Sequence, residues 1–179
     1  GNALFDPRLV NGTVNGTLVY AGSELRSDDL RVEFQGLQGL LALNSDFASG
    51  LTRVTGPVNL ADLPFDNIGT VDAGARIDFT IGGGAPWRLA ADVQGRVDRV
   101  TNSTLANLAG DNIRFRGGLR LGSAAPLLFD DFTVNASKLT ATLDGRIEAG
   151  ETVLAGAGRH VDYGPFDVEA TLADDGPRA

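Results

Sequence analysis

The sequence predicts an all-β chain: an elongated antiparallel sheet with at most one or two very short helices. Apolar and polar residues alternate at a period of two through most of the 179 residues, which is strand spacing, while helical three-and-four spacing is nearly absent. Glycines, 24 in all, gather with Asn and Asp between the alternating runs, where turns are required. The alternation is also clean. Strands covered on both faces, as in parallel doubly wound folds, read as continuous apolar runs, whereas one packed and one wet face marks an antiparallel sheet.

Taken in order, residues 30–34 place Leu30, Val32 and Phe34 on one side and Arg31 and Glu33 on the other. Residues 76–81 do the same with Ile77, Phe79 and Ile81, and residues 88–98 with Leu89, Ala91, Val93 and Val97. Ile113 and Phe115 share a side, as do Phe166, Val168 and Leu172. Between residues 132 and 148 the run Phe132, Val134, Ala136 resumes as Leu139, Ala141, Leu143, Ile147 after a phase slip at Ser137-Lys138. A one-residue slip would turn every later side chain over, so a bulge or a turn belongs there.

Helix signals are confined to two places. Residues 102–110 carry two leucines, Ser103 as the expected N-cap and Gly110 as a stop, for two turns at most. Residues 60–63 are a weaker candidate, which Pro64 interrupts. Turns are expected at Asn15-Gly16, at residues 82–84 and at Asp144-Gly145, some of them as bulges inside long strands.

A loose repetition runs through the chain. Asp28-Asp29, Asp111-Asn112, Asp130-Asp131 and Pro165-Phe166 each precede or open an apolar-x-apolar strand start, and their irregular spacing gives no solenoid period. Turn closure by Asx side chains explains the acidic pairs. Calcium ligation is the sharper alternative, but no D-x-D-x-D-G loop supports it.

Composition removes several function classes. With 23 acidic against 15 basic residues and a formal charge of -8, the chain lacks the clustered cations that nucleic acid demands. Zero cysteine excludes disulfides, thiolate nucleophiles and Cys-ligated zinc or iron-sulfur sites. No apolar run approaches the roughly 18 residues of a membrane helix. The absence of methionine leads us to expect residues 1–179 to be a single β-rich segment of a larger chain, with any membrane anchor outside it.

Catalytic motifs are missing. His160 is the single imidazole; the sequence singles out no triad or metal partner for it, and it is expected as a solvated strand residue. Many carboxylates could be drawn as a glycosidase pair, but nothing selects one. Residues 82–84 precede Ala85-Pro86-Trp87 and no helix, so they form neither a P-loop nor a dinucleotide fingerprint. Trp87 is expected to pack at a strand edge or in the core, with a sugar platform as the alternative. The Asn-x-Ser/Thr triplets at Asn11, Asn15, Asn102 and Asn135 matter only in a eukaryotic secretory setting. No enzyme activity, cofactor or metal is implied.

About twelve strands stacked about 4.8 Å apart would make an aliphatic wall roughly 50 to 60 Å long. A closed barrel, a two-sheet sandwich or a sheet curled into a U-shaped trough could hide it. Low aromatic content, 7%, and scarce helix favour the trough. In the runs Asp111-Asn112-Ile113-Arg114-Phe115-Arg116-Gly117-Gly118-Leu119-Arg120-Leu121, Phe129-Asp130-Asp131-Phe132-Thr133-Val134-Asn135-Ala136-Ser137-Lys138-Leu139 and Leu154-Ala155-Gly156-Ala157-Gly158-Arg159-His160-Val161-Asp162-Tyr163-Gly164, the chain resembles the AsmA-like, TamB-type proteins of the Gram-negative envelope. The resemblance implies an internal segment of a periplasm-spanning chain anchored in the inner membrane, curled as a β-taco. It further implies passage of phospholipid, or guidance of nascent protein, to the outer membrane alongside a BamA-like partner that contacts other parts of the chain. On that basis Leu30, Val32, Phe34, Ile77, Phe79, Ile81, Leu89, Val93, Val97, Ile113, Phe115, Phe132, Val134, Leu139, Leu143, Ile147, Phe166, Val168 and Leu172 would line a groove for acyl chains. Without it they are ordinary core. A structural β-solenoid or adhesin-like passenger with a closed core, and a carbohydrate-active jelly roll, are the competing readings.

Overall fold

Strands joined by short turns pair with their chain neighbours, because no long connection carries them elsewhere. The computed structural model describes residues 11–65, 68–173 and 176–177. It contains β1 (Thr13–Asn15), β2 (Val19–Ala21), β3 (Glu24–Phe34), β4 (Leu37–Asp46), β5 (Leu51–Phe65), β6 (Gly69–Gly82) and β7 (Ala85–Val100). Helix α1 (Ser103–Ala109) follows, then β8 (Arg114–Gly122), β9 (Ala125–Asn135), β10 (Leu139–Glu148), β11 (Glu151–His160), β12 (Gly164–Ala173) and β13 (Gly176–Pro177). All the strands form one antiparallel sheet in sequence order, except that β1 and β2 share the edge of β3. The sheet is open, with β1 and β2 at one end and β13 at the other. Consecutive antiparallel pairing differs both from the coil-on-coil stacking of a solenoid and from the two-sheet Greek keys of a jelly roll.

Several local expectations are corrected. Residues 60–63 are not helical; β5 runs through them, since Pro64 cannot donate to a helix and four residues cannot offset the cost of nucleation. The N-cap of α1 is Asn102 rather than Ser103: its Oδ1 accepts the Leu105 N–H at 3.0 Å. Gly110 closes the helix at φ 76, as expected of a stop. The slip at Ser137-Lys138 is the turn between β9 and β10. Asp144-Gly145 lies inside β10 and makes no turn.

The acidic pairs are corrected most. Asp28-Asp29 and Asp130-Asp131 do not close turns but sit within β3 and β9, where the register slips by one residue. Equivalent slips put an extra residue in β5 near Asp62 and in β7 at Asp98. Every second strand from β3 to β9 thus carries a bulge with an Asp, at positions 29, 62, 98 and 131, which stand 33, 36 and 33 residues apart. The spacing is that of one hairpin. Asp62 and Asp131 adopt left-handed φ values of 53° and 48°, a region Asp tolerates better than most side chains. A bulge frees an amide from the ladder, and the next strand accepts it: Asp62 N–H donates to Asp72 Oδ1 at 3.1 Å, and Asp131 N–H to Asp144 Oδ1 at 2.7 Å.

Glycines make room for rings on the apolar face. Gly95 stands opposite Phe115 and Gly158 opposite Phe166 in the ladder, and a Cβ at Gly117 would come within 2.6 Å of Phe132 Cδ2. The Phe115 and Phe132 rings stack with centroids 5.7 Å apart. At Gly158 a methyl group would run into the Phe166 ring and the Thr140 carbonyl. Gly158→Ala is therefore expected to lower stability by about 1–3 kcal/mol, the usual cost of overpacking, read from the urea unfolding midpoint.

Candidate functional site

The ladder decides which side chains share a face. Val54, Phe79, Leu89 and Leu121 stand in one row across β5 to β8, and Phe115, Val134, Ala141, Gly158 and Phe166 in another across β8 to β12. Followed strand by strand, the pairing puts Leu30, Val32 and Phe34 of β3, Ile77 and Ile81 of β6, and Val93 and Val97 of β7 on that same face. Ile113 just before β8, Phe132 of β9, Leu139, Leu143 and Ile147 of β10 and Val168 of β12 join them. Leu172 pairs with Thr152 in the backbone ladder; its side chain lies outside the described residues. Sequence reading missed Leu41 and Leu43 of β4, Val54 and Val58 of β5, and Leu119 and Phe129 on β8 and β9. Their alternation is masked by adjacent apolar residues such as Leu40 and Ala42, or by Gly56 and Pro57 within β5.

Burial along this face is graded. At the end crossed by α1, Leu63, Val71 and Ile113 are only 3 to 5% exposed. At the opposite end Ile81 is 44% and Ile147 36% exposed. In between the inward side chains are mostly half-buried, and no large side chain among the described residues is fully buried. Trp87 packs on this face, its ring 6.2 Å from that of Phe79, in keeping with a packing residue.

His160 is a correction. It is not solvated but 3% exposed, placed where β11 ends beneath α1. Its Nδ1 accepts the Asp162 N–H at 3.1 Å, which leaves Nε2 to carry the proton and donate to the Leu108 carbonyl at 2.8 Å. The Tyr163 ring stacks on it at 4.6 Å. Lys138 reinforces the attachment, its amide donating to the Ala109 carbonyl at 3.0 Å and its Nζ to that of Asn107 at 3.2 Å. Both ring nitrogens are thus used by backbone groups, and the bond to Leu108 fastens α1 over one end of the apolar face. His160→Phe keeps the shape but removes the bonds to the Leu108 carbonyl and the Asp162 amide, so a loss of about 0.5–1.5 kcal/mol is expected, with faster amide exchange at Gly110.

The other face is polar and laced with ion pairs. Arg53 Nε meets Asp78 at 2.9 Å, Arg96 meets Asp72 at 2.9 Å, and Arg120 meets Asp130 at 3.1 Å. Exposed pairs of this kind each contribute little stability, but they favour the observed register. Four carboxyls are held below the ordinary value of 3.8: Asp29 by the Thr17 amide, Asp46 by the Ser49 hydroxyl, Asp72 by the Asp62 amide and Asp78 by the Arg53 guanidinium. Carboxyls lowered on folding contribute stability that is complete above the unfolded value and lost as pH falls through the lowered ones. Unfolding midpoints are therefore expected to be insensitive to these groups down to about pH 4 and to fall below it. Asp72→Asn with Asp78→Asn should flatten that decline, measured by urea unfolding at stepped pH.

No group of three or more His, Asp or Glu side chains stands close enough to hold a metal ion among the described residues. No helix there is long and apolar enough to cross a membrane. The geometry defines an open, single-sheet antiparallel β protein with one continuous apolar face. No protein-family model, curated protein or solved structure matches the chain.

Proposed function

We propose that the chain is a bridge segment of a Gram-negative periplasmic protein, its sheet curled about the apolar face into a U-shaped trough that carries phospholipid acyl chains toward the outer membrane. The observation that carries this reading is a continuous apolar face running from β3 to β12, half-buried along its length and without a second sheet against it. A face of that extent exceeds the few hundred square ångströms that soluble monomers usually leave open without a use. The recurring bulges support the curl, because each bends its strand and sharpens the local twist.

The exposure gradient orients the trough. The rim beneath α1 is covered at Leu63, Val71 and Ile113, and the opposite rim is exposed at Ile81 and Ile147, which is the side from which acyl chains would enter. A chain leaving water gains about 0.8 kcal/mol per methylene wherever it lies on the aliphatic wall. Such a surface holds lipid without a tight pocket and lets it slide. An inner-membrane anchor and a BamA-like outer-membrane partner belong, in this proposal, to parts of the protein outside the segment.

A photoreactive residue placed in turn at Phe79, Ile81 and Phe115, with Thr142 on the polar face as control, tests the proposal in Gram-negative cells. Phospholipid adducts at the three inward positions and none at Thr142 are expected by mass spectrometry. Crosslinks from the inward positions only to the protein's own chain would show a closed core and overturn the groove.

A further inference from the structure

The polar face carries a depression of about 910 Å³ between β4 and β9. A second, of about 660 Å³, continues it and shares Asn59, Gly74, Gln94 and Arg116 with the first. Its floor follows one row of the ladder, Gln38, Asn59, Gly74, Gln94 and Arg116. Gly74 supplies no side chain there, and a Cβ would stand 3.1 Å from Asn59 Oδ1. Asn135 and Arg114 complete the wall from β9 and β8.

Arg76, Arg96, Arg114 and Arg116 line the two depressions beside Asp72, Asp92 and Asp131, a local excess of basic groups in a chain where acidic residues outnumber basic ones by 23 to 15. Arg96 has carboxylate partners, with Asp72 at 2.9 Å and Asp98 at 3.3 Å. Arg114 stands directly opposite Arg96 in the ladder, a like-charge pairing that costs stability. Among the described residues neither Arg114 nor Arg116 has a carboxylate partner. Two unneutralised guanidinium forks two residues apart on one strand face suit the oxygens of a phosphate or carboxylate. The carboxamides of Gln38, Asn59, Gln94 and Asn135 each offer a donor pair and an acceptor, the match for the hydroxyls of a sugar.

We infer that this depression binds an acidic saccharide, with Arg114 and Arg116 on its phosphate or carboxylate and the four carboxamides on its hydroxyls. The site lies on the face opposite the apolar one and does not depend on the lipid reading.

Calorimetric titration of the 179-residue chain with glucose 1-phosphate and with trigalacturonate tests it, with glucose and inorganic phosphate as comparisons. Both acidic sugars are expected to bind with Kd values of about 0.1–1 mM, and both comparison compounds at least about tenfold more weakly. Combining Arg114→Gln with Arg116→Gln should weaken binding about tenfold or more without lowering the urea midpoint, since it relieves the Arg96 contact. Arg146→Gln, an outward arginine of β10 outside the depression, should leave the affinity unchanged. Absence of binding by either acidic sugar, or full affinity in the double variant, would overturn the site. Inorganic phosphate binding as tightly as glucose 1-phosphate would overturn its assignment to a saccharide.

Discussion

Every feature of this molecule rests on consecutive antiparallel pairing. From β3 to β13 each strand hydrogen-bonds to its neighbours in the chain, so the strands follow one another in a single open sheet. One face of that sheet is aliphatic. The hydrophobic effect asks for this face to be covered, and a single sheet can answer only by curling, by closing one end with a small element, or by holding something else against it. α1 closes one end, fastened by His160 and Lys138 to the turns beneath. Along the rest of the face the side chains are left half-buried.

Glycine and aspartate shape the sheet by different means. Glycines beside Phe115, Phe132 and Phe166 let rings lie across the neighbouring strand, where a methyl group would collide with them. The face therefore stays densely apolar with modest aromatic content. Aspartates recur at the bulges of β3, β5, β7 and β9, and the carboxylates of Asp72 and Asp144 accept the amides that two of those bulges release. A bulge whose freed amide is bonded costs little, so bending can be repeated from hairpin to hairpin. With each hairpin packed mainly on its neighbours, stability is expected to behave as a sum of nearest-neighbour terms, as in repeat proteins.

The same carboxylates account for the electrostatics of the polar face. Asp29 and Asp72 accept backbone amides, from Thr17 and Asp62, in addition to side-chain donors. Asp78 instead takes the guanidinium of Arg53, an ion pair that joins β5 to β6. An acidic chain thus uses part of its negative charge on its own backbone and register. Arg114 and Arg116 have no carboxylate partner among the described residues, and with Arg96 they outnumber Asp72 in the depression between β4 and β9, which gives it its chemical character.

The sequence by itself determined the all-β class, the antiparallel arrangement and the side of the sheet on which Phe79, Val93, Phe115 and Val134 lie. Period-two alternation is local, and a strand's two faces follow from the direction of its own Cβ bonds. The position of α1 was legible for the same reason, apart from a one-residue shift of its cap. Only the tertiary structure decided that Asp28-Asp29 and Asp130-Asp131 are bulges rather than turns, because both conformations use Asx residues and left-handed φ values, and the distinction lies in whether a partner strand continues past them. It also decided that His160 is buried, since its two backbone partners, Leu108 and Asp162, include one 52 residues away. The graded exposure from Ile113 to Ile81 likewise depends on where α1 crosses the sheet, which no local pattern of residues encodes.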